Sequence, residues 1–309
     1  MKKRKVIPFL VLLIAIVGVV YYANRNIKHS SEKVQSGKIQ VTASFYPLYF
    51  FASQIGGDKA NVANVVPSGA EPHDYEPTAK DMAGMEKSNL IILNGGGLEA
   101  WGADIQKNID IQKTKIVFAG EGLTTEQMME EGKARTDPHV WLAPSLAKMM
   151  VDKIAQGFKT ADSSNDAYYQ ANADKLKKDL EDLDQEYKKG LSNCSEKNII
   201  TSHAAFGYMA KEYGLNQVSI AGLSPDAEPS PSQLADISNF AKANNVKYIF
   251  FESLVSPKLS ETIASEVGAK TLVLNPMEGL SEEEIANGEN YLTAMRDNLI
   301  NLKIALQCQ

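Results

Sequence analysis

From Lys38 onward, short apolar bursts alternate with longer segments in which apolar positions recur every three or four residues. The bursts Ile39–Phe45 (IQVTASF), Val62–Val66, Leu90–Leu93 (LIIL) and Lys115–Phe118 (KIVF) predict strands, and Thr78–Lys87 predicts a helix capped by Thr78. The second half repeats the rhythm with Asn198–Thr201 (NIIT), Gln217–Ile220 (QVSI), Tyr248–Phe251 (YIFF) and Thr271–Leu274 (TLVL). Between those strands, Pro231–Asn244 and Ser256–Val267 carry helical spacing. Strands alternating with helices predict parallel sheets covered on both faces. Between the halves, Leu176, Leu180, Leu183 and Tyr187 fall at helical steps amid Lys, Asp and Glu, and Gly190 follows. That is one long amphipathic helix with paired charges on its outer face, joining two α/β lobes. The expected organisation is an N-terminal lobe over 38–163, a linking helix over 164–191 and a C-terminal lobe over 192–309.

The start of the chain follows a different pattern. KKRK (2–5) precedes the apolar run Ile7–Ala23, a positive end followed by a short hydrophobic segment, as in export signals. Tyr21 is too bulky for a small-x-small cleavage site ending at Ala23, and the segment has no cysteine to carry a lipid. Residues 1–23 therefore read as an uncleaved signal-anchor with its basic end in the cytoplasm, and cleavage with release as the alternative. Residues 24–37 are polar and aperiodic, a tether; His29 within it is pre-organised by nothing.

Composition narrows the classes. With 309 residues, 44% of them hydrophobic, the chain can build two ordinary cores. A net charge of -6 and no basic stripe with aromatics after residue 40 exclude a nucleic-acid surface. The two cysteines, Cys194 and Cys308, form no CxxC, so neither a zinc ribbon nor a thioredoxin motif is present. Outside the cytoplasm they can pair, pinning the C-terminal tail to the segment before His203.

The remaining three histidines are placed alike. His73 follows a predicted strand in EPHDYEP, His139 lies in TDPHVW before a helical run from Pro144, and His203 follows NIIT in TSHAAFGY. Each lies beside a strand or helix end, where α/β folds put ligand sites. EPHDYEP itself leaves three readings open: a solvated acidic turn, a capping or outer cluster, or one corner of a metal site. Ligands so far apart in sequence need a prebuilt scaffold, and three imidazoles with one carboxylate suit tetrahedral zinc. The fourth donor is sought in LNPMEGL (274–280): Glu278, or Asn275 as a weaker neutral donor. Glu252, in FFESLVSP, is a third candidate, favoured as an exposed carboxylate starting a turn. No GxSxG, HExxH or P-loop is present, and NGGG (94–97) reads as a turn that lets backbones approach.

EPHDYEP, DPHVWLAP, TSHAAFGY, PDAEPSP (225–231) and LNPMEGL together resemble the solute-binding proteins of zinc and manganese ABC importers, over residues 38 to 306. The resemblance implies two Rossmann-like α/β lobes with four-stranded parallel sheets, joined by a long rigid helix, with the metal in the interlobe cleft. It puts the family's metal histidines on His73, His139 and His203, and the fourth ligand on Glu278. A histidine at the third position, where manganese members usually carry a carboxylate, looks like the zinc branch. The implied function is extracytoplasmic Zn(II) capture and delivery to an ABC permease, by a monomer that is not an enzyme. The alternatives are a manganese-specific member of the same family and, from other classes, a surface adhesin or a zinc hydrolase. Glu71, Asp74, Glu76, Asp137, Glu228 and Asn275 are expected to support the ligands without binding metal. Two departures stand out: residues 124–136 lack the histidines that many zinc members carry there, and the lipobox cysteine is missing.

Overall fold

The computed structural model describes residues 37–130 and 132–309. The expected signal-anchor, residues 24–36 of the tether and His29 lie outside the described residues. The fold is α/β, built on two four-stranded parallel sheets that belong to one compact unit, Ile39–Gln309.

The first sheet contains β1 (Ile39–Ala43), β2 (Ala60–Asn64), β3 (Leu90–Leu93) and β4 (Lys115–Phe118), in the order β2-β1-β3-β4. All four residues of β3 are buried, as a continuous apolar run in a covered parallel sheet requires. Its helices are α1 (Tyr46–Gly56), α2 (Ala79–Met85), α3 (Gly102–Asn108) and α4 (Pro144–Ala161). Thr78 caps α2 in a reciprocal box with Asp81, which also accepts from the Tyr75 hydroxyl at 2.9 Å. A helix start thereby braces the EPHDYEP loop.

The second sheet runs β10-β9-β7-β8, with β7 (Asn198–Thr201), β8 (Asn216–Ser219), β9 (Tyr248–Phe251) and β10 (Lys270–Val273). The long helix α5 (Asp166–Gly190) comes between the sheets in sequence and buries Leu176, Leu180, Leu183 and Tyr187, its predicted apolar stripe. After it come α6 (Gly207–Tyr213), α7 (Pro231–Ala243), α8 (Lys258–Val267), α9 (Glu282–Ala286) and α10 (Tyr291–Ala305).

The short helices α3, α6 and α9, helices α1 and α10, and two strands between β4 and α4 escape the sequence pattern. Helix α1 (YPLYFFASQIG) is buried on most sides, so its apolar run carries no clear helical face. Helix α10 has an ordinary spacing that merges with the polar run before it. Between β4 and α4, β5 (Gln127–Glu130) and β6 (Lys133–Thr136) form an antiparallel hairpin within 124–136, a stretch for which the apolar pattern predicts no strand.

One apolar core runs through both halves, from Phe45 and Phe51 through Trp141 to Met277, Leu274 and Tyr291. Tyr291, which opens α10, meets Phe50 and Phe51 of the first half, and its hydroxyl donates to the Trp141 carbonyl at 2.5 Å. The Trp141 indole in turn donates to the Pro276 carbonyl at 2.8 Å. The Tyr187 hydroxyl of α5 donates to the Met295 carbonyl at 2.6 Å. Cores this dense resist sliding, so the two halves are not hinged on an empty cleft.

Cys194 and Cys308 form a disulfide that closes 114 residues, and the chain end is further held by the Gln309 amide donating to the Asn193 carbonyl at 3.0 Å. Replacing Cys308 by serine should lower the unfolding free energy by about 2–4 kcal/mol, through the freer unfolded chain. Denaturant titration under non-reducing conditions checks it; an unchanged midpoint would remove any stabilising role.

Candidate metal centre

His73 lies on the loop after β2, whose pairing with β1 is extended by the Val65 and Val66 amides donating to the Ala43 and Ser44 carbonyls. His139 follows the hairpin and precedes a short 3-10 turn, Val140–Leu142. His203 comes two residues after β7, and Glu278 lies in the turn after β10. Loops after strands of both parallel sheets thus deliver three donors, and the segment after the hairpin brings His139 to the same point.

The four ligating atoms all lie within 4.8 Å of one another. Oε1 of Glu278 is 3.2 Å from Nε2 of His73, 3.1 Å from that of His139 and 3.3 Å from that of His203. Nε2 of His139 is 3.2 Å from Nε2 of His73 and 3.4 Å from that of His203. Bonds of about 2.0–2.1 Å to a tetrahedral zinc place neighbouring donors about 3.3 Å apart. The measured edges match that figure. Three imidazole nitrogens turned toward one another make poor mutual hydrogen bonds but a good cage for a cation. Among the described residues the buried Oε2 of Glu278 has no hydrogen-bond partner, a further sign of a carboxylate arranged for a positive charge.

Burial is nearly complete. His139, His203 and Glu278 are at most 1% exposed, and the His73 side chain keeps 10%, which puts it at the mouth. Burial holds the His73 imidazole below its ordinary pKa, in spite of Glu278. For His139, burial works the same way but is outweighed by Asp137 and Glu278, so its pKa is raised. For His203, burial is outweighed by the charges of Glu252 and Glu278, and its pKa stands well above the ordinary value. Glu278 is the mirror case: burial favours its neutral form, yet His203 and the hydrogen bonds of the three imidazoles hold it well below the usual carboxylate range.

The turn carrying Glu278 has its own brace. Met277 sits at φ 61, a left-handed conformation that costs a non-glycine residue about 1–2 kcal/mol. Asn275 supports it: its Oδ1 accepts from the Met277 amide at 2.7 Å, and its Nδ2 donates to the Ser253 hydroxyl at 3.1 Å. Asn275 therefore shapes the turn and stands outside the group of donors that Glu278 completes.

Of the expected supporting acids, Asp137 touches an imidazole most directly. Its Oδ1 accepts from the His139 amide at 2.9 Å and from Nδ1 at 2.7 Å. Glu71 accepts from the His73 amide at 3.1 Å, and burial followed by the nearby Glu278 pushes its carboxyl up to about 9. Asp74 is exposed and shares a hydrogen bond with Asp226, which raises its pKa. Glu76 is exposed, and Glu228 lines an open cleft of about 870 Å³ beneath the β5–β6 hairpin, apart from the imidazoles.

Glu252 departs from expectation. It is 3% exposed and accepts from Nδ1 of His203 at 2.6 Å, so it is neither an exposed turn carboxylate nor a member of the donor group. The reason is strand register: β7 and β9 pair in parallel with Ile200 opposite Ile249, which sets His203 opposite Glu252 three residues on. Tyr208 was also missed; its hydroxyl accepts from the Glu126 amide and donates to the Asp137 carbonyl. The NGGG turn has all three glycines at positive φ, and the Glu99 carboxylate behind it accepts from the Asn94 and Gly95 amides.

Comparison with known proteins follows the same lines. Residues 41–305 match the ZnuA family, described as the periplasmic zinc-uptake complex component A. The high-affinity zinc uptake system protein ZnuA of Bacillus subtilis (strain 168) is 41% identical over 306 residues, covering 96% of this chain and 94% of that protein. The zinc-binding lipoprotein AdcA of Streptococcus pneumoniae (strain ATCC BAA-255 / R6) is 39% identical over 89% of this chain, which spans only 57% of AdcA. The crystal structure of the Zn(II)-bound ZnuA-like domain of Streptococcus pneumoniae AdcA superposes with a TM-score of 0.75 at 39% identity, over 87% of this chain and 99% of that one.

Gly207, the first residue of α6, offers a direct test of the site's support. A Cβ there would lie 2.8 Å from Oδ2 of Asp137, so Gly207→Ala must displace the carboxylate that orients His139. The expected result is a divalent-metal affinity weaker by about 10–100-fold, the usual cost of losing such a partner. Chelator competition measures it, and an unchanged affinity would show that Asp137 does not orient His139.

Proposed function

The chain belongs to the ZnuA family of periplasmic zinc-uptake components, and on that premise we propose that it captures Zn(II) outside the cytoplasm and hands it to an ABC permease for import. His73, His139, His203 and Glu278 are the ligands in this reading. The observation that carries it is the donor geometry: three imidazole nitrogens and one carboxylate oxygen separated by 3.1–3.4 Å where measured, the edges of a zinc tetrahedron. Imidazole-rich donors suit zinc better than manganese, which prefers oxygen ligands and higher coordination. The lobes at 38–163 and 192–309 supply donors from either side of the linking helix 164–191, and residues 1–23 hold the protein at the membrane. Because one core runs through both halves, release proceeds by local shifts of the exposed His73 loop and its neighbours, with the lobes staying packed.

A hydrolytic reading is disfavoured by the hydrogen bonding. A metal-activated water needs a free base, and Asp137 and Glu252 are both occupied on imidazole Nδ1 atoms.

Metal analysis and competition titration of the full-length chain test the proposal. The wild type should hold about one zinc, and His203→Ala and Glu278→Ala should each lose more than the 10–100-fold that an outer partner typically costs. Failure to retain zinc, or retention undiminished in His203→Ala, would overturn the ligand assignment; preference for manganese would overturn the specificity.

Proton competition gives a second expectation. The raised pKa values of His139 and His203 stabilise the metal-free fold fully below the ordinary value of about 6.5, and that contribution is lost as pH rises through the raised values. Zinc replaces those protons, and Glu278 stays ionised throughout. The zinc-induced rise in Tm should therefore grow between about pH 6 and pH 8, as read by differential scanning calorimetry of loaded and metal-free protein. A constant increment would contradict the assigned proton occupancy.

A further inference from the structure

We infer that Glu252 is a positioning residue for His203, and that its charge biases the site toward zinc over manganese. The inference rests on the reading of His203 as a ligand and adds a residue that neither sequence motif nor donor geometry assigns.

Glu252 is nearly as buried as the ligands, at 3% exposure, and among the described residues its one ion-pair partner is His203. No lysine or arginine among the described residues pairs with it. Burying a carboxylate with so little compensation is costly, and an apolar residue there would suit the fold better. Its presence is explained by the pair it forms. The contact of 2.6 Å between Oε1 and Nδ1 is short and charge-assisted, with the imidazole N–H donating. With Nδ1 so engaged, Nε2 is the nitrogen turned toward Glu278 and His139, at 3.3 and 3.4 Å.

The three imidazoles are not equivalent in this respect. His139 receives a carboxylate from Asp137, two residues away on its own loop. His203 receives one from the adjacent strand end, set by the β7–β9 register, so moving it requires moving the sheet. His73 has no carboxylate on Nδ1 among the described residues. A carboxylate on Nδ1–H makes the opposite nitrogen a better donor. That gain is larger for zinc, a borderline ion that bonds well to imidazole, than for manganese, a harder ion that favours oxygen.

The test uses the full-length chain with Glu252→Ala and Glu252→Gln; the second keeps a carbonyl acceptor of the same shape and removes the charge. Zinc and manganese affinities are measured by chelator competition, and the ligand-field absorption of bound Co(II) reports the donor geometry. Glu252→Ala should weaken zinc by about 10–100-fold, and Glu252→Gln by less. In both, the zinc-to-manganese affinity ratio should fall and the Co(II) spectrum should change in Glu252→Ala. A merely structural role would lower the metal-free Tm while leaving that ratio and the spectrum unmoved, and that outcome overturns the inference. If Glu252→Ala does not fold, Glu252→Gln decides: equal weakening of both metals, or none, overturns it. A wild type that loses no zinc on His203→Ala is the distinct result that defeats the functional reading beneath it.

Discussion

The buried carboxylate of Glu278 is the constraint on which the site depends. An anion at 1% exposure, with one oxygen unpartnered among the described residues and the other facing three imidazoles, is stable only if positive charge is close by. Protonated imidazoles can supply that charge, and in the proposed function a bound zinc takes their place. The surroundings look arranged to hold either. Met277 accepts a left-handed backbone, Asn275 spends both ends of its amide on the turn, and Trp141 donates to Pro276. Each of these holds the Glu278 turn where the histidines can reach it.

The scaffold explains why the donors can be so far apart in sequence. Parallel sheets present successive loops at one edge, and register carries position across strands, as the β7–β9 pairing carries Glu252 to His203. The shared aromatic core then fixes one sheet relative to the other. Tyr291 packs on Phe50 and Phe51 and donates to Trp141, which is two residues from His139.

Much of the molecule was legible from the pattern of apolar positions. The bursts at Leu90–Leu93, Lys115–Phe118, Asn198–Thr201 and Tyr248–Phe251 are strands with those ends, because a covered parallel strand reads as a short, near-continuous apolar run. The Leu176–Tyr187 stripe is a buried helix face because half of a surface helix remains polar. Helix α1 was illegible for the opposite reason, being apolar on nearly every side. The β5–β6 hairpin was illegible because its strands are short and half exposed, with Met129 turned to solvent. At the site, the histidines stood out by scarcity and position, but Glu252 looked like any carboxylate after a strand. Its burial is a property of sheet register, and register is absent from local sequence.

The acids of EPHDYEP show how far residue type alone can mislead. By count they dominate that loop, yet their effect is decided by dielectric. Two unit charges 4 Å apart interact by about 1 kcal/mol in water and about 4 kcal/mol at an effective dielectric of 20. Glu76 and Asp74 face solvent, so salt and water screen them. Asp137, Glu252 and Glu278 are buried against imidazoles, and there the same charge acts far less screened. What the loop contributes is the one imidazole that keeps contact with the outside. His73 sits on a loop braced by Tyr75, Asp81 and two prolines, close enough to complete the cage and exposed enough to open it. A site meant to hold its metal for good would bury that histidine as deeply as the other two. Leaving it at the mouth is what a protein that must give its ion away requires.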